Sequence, residues 1–141
     1  TELMLSFRLP PTADPKKASE DLKKILEENP PYGAKVTFTI PKAAQGFYAP
    51  PLKQWLSESI TNASVALWNN KPAFESCGGT IPFLNVMQAG FPECQFCVCG
   101  LLGPLSNAHG PNEFMSVPYF LNLTAAMTQM FVDHGKQFKK D

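Results

Sequence analysis

Leu3-Met4-Leu5-Ser6-Phe7-Arg8-Leu9-Pro10-Pro11 alternates with a period of two: Leu3, Leu5, Phe7 and Leu9 fall on one face, Met4, Ser6 and Arg8 on the other. That periodicity predicts a half-buried β-strand, and it turns Arg8 away from the apolar face. Pro10-Pro11 stops the strand. Asp14 is then placed to cap a helix that has Pro15 at its first position. Ala18, Leu22, Ile25 and Leu26 form the apolar stripe of that helix, with Lys and Glu opposite. Glu27-Glu28 reads as its solvated end, and Asn29-Pro30-Pro31-Tyr32-Gly33 breaks it. Lys35 to Ile40 alternates again and would bury Val36, Phe38 and Ile40. Strand, helix and strand in this order predict a βαβ-type unit on one sheet.

Beyond it, Pro41 to Pro51 is an aperiodic linker bracketed by prolines. Leu52, Trp55, Leu56, Ile60, Ala63 and Leu67 recur at helical spacing until Asn69-Asn70-Lys71-Pro72. A short strand near 73–75, a Gly78-Gly79 loop, a helix near 81–89 and a strand over Gln95–Cys99 follow. Leu101 to Glu113 reads as a long loop. A last helix is expected from Val117 to His134, burying Phe120, Leu123, Thr124, Met127 and Phe131, with Pro118 tolerated in its first turn. Helices interleaved with strands make the expected fold class α/β.

Apolar residues make up 44% of the chain and charged residues only 17%, which suggests faces covered by further chain or by a partner. Twelve basic and twelve acidic residues cancel, so there is no electrostatic case for nucleic acid. No apolar run approaches the ~20 residues that span a bilayer, so no membrane partner is expected. Thr1 opens in strand-like sequence without an initiator Met or signal peptide, so the true N-terminus is expected elsewhere.

Cys94, Cys97 and Cys99 cluster, with Cys77 upstream. Structural zinc sites usually pair two Cys-x2-4-Cys elements, and Cys77 has no local partner. Strand alternation would put Cys97 and Cys99 on one face, and thiols packed as small hydrophobes are the leading expectation. A metal or redox site and disulfides are the lesser ones. Reduced thiols favour a cytoplasmic address. The sequons at Asn62 and Asn122 fall inside expected helices, which argues against glycosylation.

Ser106-Asn107-Ala108-His109-Gly110-Pro111-Asn112-Glu113 holds one of only two histidines, and a neutral imidazole is a common zinc ligand. Together with Leu5-Ser6-Phe7-Arg8-Leu9-Pro10-Pro11 and Gly78-Gly79-Thr80-Ile81-Pro82, this stretch resembles the M20 family of zinc metallopeptidases. That family includes glutamate carboxypeptidases, carnosine-type dipeptidases and amino-acid deacylases. The three stretches occur in the family's order and span nearly the whole chain. The early His-x-Asp, bridging Asp and Glu-Glu pair of the family are missing, and Cys77 stands where related dipeptidases often carry Glu. Gly110 replaces the commoner Ser after the histidine, which should loosen the loop.

The resemblance implies a C-terminal fragment of a di-zinc hydrolase. Residues 1–42 would be the second half of an α+β lid and dimerisation domain. Residues 43–141 would be the C-terminal part of an α/β catalytic domain. It further implies that His109 is one metal ligand. Arg8 would pair a substrate carboxylate through its planar fork. Gly78, Gly79 and Thr80 would approach the substrate with backbone N–H groups and a hydroxyl. No residue of this chain would be the catalytic base. The reaction would be attack of a metal-activated water on a peptide or amide bond next to a free carboxylate. The substrate would be a small peptide or acylated amino acid, and zinc, manganese and cobalt stay open as the native metal. The partners implied are the missing N-terminal catalytic portion and a second copy, joined through the lid. The fragment alone is expected to be inactive. A different reading is a non-catalytic binding or oligomerisation module with a cysteine-based structural metal.

Overall fold

A computed structural model describes residues 1–76 and 81–139. Among them regular structure is helical: α1 (Pro15–Glu28), α2 (Gln54–Trp68), α3 (Pro82–Gly90) and α4 (Val117–Gln137), with one 3-10 turn at Pro31–Gly33. Each helix lies within a few residues of where periodicity and breakers put it. Asp14 caps α1 as expected, its side chain accepting from the Lys16 and Lys17 N–H groups at 2.9 and 3.2 Å. Asn69, in a left-handed conformation, ends α2. Ser116 caps α4, its Oγ accepting from Tyr119 N–H at 3.4 Å.

The α/β expectation is overturned: no strand and no sheet occur among the described residues, so there is no βαβ unit. A strand exists only through a neighbour that takes its N–H and C=O groups, and the alternating segments find none. Residues 3–9 and 35–40 have no regular structure. Leu3 stays 79% exposed and Phe7 57%. At Phe38 the side chains of α1 take the place of a ladder. Glu27 Oε1 accepts from Phe38 N–H at 2.7 Å, and Lys23 Nζ donates to the Phe38 carbonyl at 2.8 Å. Glu27 is therefore a tether between α1 and the chain after it, not a solvated helix end. The Lys23 ammonium and the Phe38 N–H hold its carboxyl below the usual carboxylate range.

The chain folds as two compact units, Thr1–Ala49 with Ser76–Cys94, and Pro50–Glu75 with Gln95–Asp141. In the first, Ala18, Leu22 and Leu26 of α1 are half-buried while Ile25 is not. The expected linker is tied down there: Gln45 donates to the Pro11 carbonyl and accepts, through its own carbonyl, from the Asn85 amide of α3. Gly46 is needed at this crossing, because a Cβ would sit 2.7 Å from Pro11 Cα.

The second unit is built on α2 against α4, which run antiparallel. Trp68 meets Tyr119 and the Asn122 amide donates to the Leu67 carbonyl at one end, while Trp55 meets His134 and Phe138 at the other. Leu56, Ser59 and Ala63 of α2 and Ala126 of α4 are its buried helical positions. The inner side of α4 thus runs through Asn122, Leu123, Ala126, Met130 and Asp133, with Ala126 buried and the others half-buried; of the expected face only Leu123 lies on it, and Phe131 is 72% exposed. Small and polar side chains win the contact because they let the helices close and bond across it.

Ser59 Oγ donates to Asp133 Oδ2 at 2.8 Å. That bond first, then those from Gln129 and Lys136, hold the Asp133 carboxyl below its ordinary value. A carboxylate depressed in the folded state stabilises it fully above the unfolded pKa, and the gain is lost as pH falls through the folded value. Ser59→Ala is therefore expected to lower the urea midpoint at pH 7, and the gap to the parent should narrow as pH falls below the ordinary aspartate range, about 4. A gap independent of pH would mean that the bond does not discriminate between the two forms of Asp133.

No helix among the described residues is long and apolar enough to cross a membrane.

Candidate functional site

His109 sits in the second unit, in the irregular stretch between Gly103 and α4. Ser106, only 5% exposed, anchors it. Its Oγ accepts from Gly103 N–H at 2.8 Å, its N–H donates to the Gly103 carbonyl, and its carbonyl accepts from Phe114 N–H at 3.1 Å. The chain leaves Ser106, turns around His109 and returns to Phe114, closing a loop on one buried serine. Inside it Gly110 N–H donates to the Asn107 carbonyl at 2.9 Å, and the Asn107 amide donates to the Pro111 carbonyl. Glu113 Oε2 accepts from His109 N–H at 3.1 Å.

Leu105, Asn107, His109 and Asn112 all have positive φ, with His109 at 63°. Asparagine and histidine visit that region more readily than other non-glycine residues, whereas leucine reaches it only where the surroundings enforce it. Here the surroundings are the bonds just described. Gly110 does not loosen the loop, contrary to expectation. A Cβ there would lie 2.7 Å from Asn107 Nδ2, so the glycine is what allows the Asn107 amide to lock the turn. Glu113 braces the histidine turn through its carboxylate, while Ser116 caps α4. The imidazole is held at the exposed tip of a braced turn.

Beside the loop lies an open hollow of about 300 Å³ lined by Leu101, Leu102, Glu113, Phe114 and Met115. Glu113 belongs to both features: its carboxylate braces the His109 backbone and lines the hollow. Chemically the arrangement offers one presented imidazole next to an apolar depression with a single acidic group.

The other expected site residues fall elsewhere. Arg8 is exposed in the irregular N-terminal segment of the first unit. Gly78, Gly79 and Thr80 lie outside the described residues, as does Cys77. Among the described residues no group of three or more His, Cys, Asp or Glu side chains is arranged to hold a metal ion. A catalytic zinc takes about three protein ligands, and the described residues do not bring three together.

The expectation of buried cysteines on a strand is also overturned. Gln95–Cys99 is irregular, and Cys94, Cys97 and Cys99 are free and exposed. Partial desolvation, with Cys99 next, pushes the Cys97 thiol above its ordinary value. Sequence reasoning missed Asn122, Asp133 and Ser59 as contact residues. Their only signal was a polar residue at a helical spacing that also included alanine.

No family model matches the chain. The chain is similar to the cysteinylglycine-S-conjugate dipeptidase of Corynebacterium striatum, with 26% identity over 141 residues and 96% of this chain covered. It spans about three-tenths (30%) of that relative's length, so the likeness is to one part of a dipeptidase.

Proposed function

We propose that this chain is the C-terminal part of a di-zinc metallopeptidase of the M20 type, hydrolysing a peptide or amide bond next to a free carboxylate. The observation that carries the reading is the braced turn at His109, where a non-glycine residue is held at φ 63° by Glu113 and the Asn107–Pro111 clasp. A ring presented from a backbone fixed in this way suits a metal ligand, whose orientation has to be held. The similarity to a dipeptidase over nearly the whole chain supports the same reading.

In this proposal His109 supplies one metal ligand, and a longer parent protein supplies the other ligands and the general base. Arg8 grips the substrate carboxylate, for which a guanidinium fork is suited. Gly78, Gly79 and Thr80 contribute backbone N–H groups and a hydroxyl to the substrate. Residues 1–42 belong to the lid and dimerisation region, and 43–141 to the catalytic region. The substrate is a dipeptide or acylated amino acid, with S-conjugated cysteinylglycine as the first compound to try because the relative is named for it. The chain by itself is inactive, since its described residues complete no metal site.

The test is hydrolysis by the parent protein that contains this chain. Dipeptide cleavage should stop on chelation and return with zinc or manganese, and residues 1–141 alone should be silent. Cleavage indifferent to chelation, or none on any dipeptide or acylated amino acid, would overturn the proposal.

A further inference from the structure

We propose that the hollow beside His109 is a subsite that receives an apolar side chain of the dipeptide substrate and turns away an acidic one. This rests on the peptidase reading and narrows its substrate class. The lining is apolar apart from one group: Leu101, Leu102, Phe114 and Met115, with the Glu113 carboxylate. Leu101 is half-buried, while Leu102, Phe114 and Met115 are 63%, 54% and 48% exposed, so apolar surface is left there for a ligand to cover. A volume of about 300 Å³ lies at the lower end of ligand-site sizes. The hollow is open, so it would take one projecting group and leave the rest of the substrate outside.

Position ties the hollow to the chemistry. Glu113 Oε2 accepts from His109 N–H at 3.1 Å, and the same residue lines the hollow. The wall that carries Phe114 is anchored as well, its N–H donating to the carbonyl of buried Ser106 at 3.1 Å. Imidazole and hollow are thus two sides of one braced loop, and a substrate reacting at His109 has the hollow as its neighbouring surface. Covering apolar walls favours a leucine, methionine or phenylalanine side chain, and the unbranched Met115 can adapt to each of these shapes. An aspartate or glutamate side chain would instead bring a second carboxylate against Glu113. Like charges repel strongly where water is partly excluded, and that repulsion selects against the acidic substrate.

The experiment measures kcat/KM of the parent protein, loaded with zinc or manganese, on dipeptides varied at one residue at a time among leucine, alanine and aspartate. At one of the two positions leucine should exceed alanine by at least about tenfold, and aspartate by more. Leu102→Ser and Phe114→Ser should each cut the leucine-to-alanine ratio by at least about threefold. The ratio is the readout, so a general loss of activity through a disturbed loop does not count. Leu105→Asn, on the same loop but 89% exposed and outside the hollow, should keep the ratio. Chelator-sensitive hydrolysis with leucine and alanine equal, with aspartate preferred, or with the ratio unchanged in both hollow variants would overturn the subsite and leave the peptidase reading standing. No hydrolysis of any dipeptide would overturn both.

Discussion

His109→Asn in the parent protein is expected to lower kcat/KM by at least about a thousandfold, because even outer partners of metal ligands are worth roughly ten- to a hundredfold. Asparagine is the informative replacement. It tolerates the left-handed backbone that residue 109 adopts at φ 63°, so the turn survives while the imidazole is lost. The side chain is exposed, so folding should be unaffected. His134 provides the contrast. Its ring lies against Trp55 and Phe138 at centroid distances of 5.4 and 4.6 Å. His134→Ala should therefore lower the thermal midpoint and leave kcat/KM per folded molecule unchanged. Equal activity in His109→Asn and the parent would remove His109 from the proposed metal site and leave the similarity to a dipeptidase as the support for that reading.

Ala126→Asp should destabilise the α2–α4 pair by about 3 kcal/mol or more, the usual effect of an uncompensated charge at a buried position. Ala126 is 5% exposed, and Leu56 and Ala63 on α2 are buried to the same degree. No side chain among the described residues is completely buried, so a loss of this size is a large share of the roughly 5 kcal/mol at the low end of domain stabilities. Ala125→Asp, one position round the same helix and exposed, should stay within about 0.5 kcal/mol of the parent. Urea unfolding followed by helical circular dichroism reads both. Similar losses for the two variants would mean that α4 does not pack through Ala126.

Local signals were readable along the chain. Asp14-Pro15 marked the start of α1, Asn69 the end of α2 and Pro118 the first turn of α4, because a helix closes its hydrogen bonds within itself and its ends depend on adjacent residues. The histidine turn was legible as a turn for the same reason. Its tightness was not, since the role of Gly110 depends on where the Asn107 amide lies.

What only the tertiary structure decided was whether alternation became a sheet and which helix face met another. Leu3 to Leu9, Val36 to Ile40 and Gln95 to Cys99 carry strand-like patterns, yet a strand's hydrogen bonds are made to another segment, and that partner is not written in the pattern itself. At Phe38 the competing partners were Glu27 and Lys23 of α1. On α4 the larger apolar residues marked one face, and the pairing of Ser59 with Asp133 and Asn122 with Leu67 brought the adjacent one inward. The sequence by itself determined where the helices start and stop, because those bonds are local; the lack of a sheet among the described residues and the α2–α4 contact depended on partners that only the folded chain supplies.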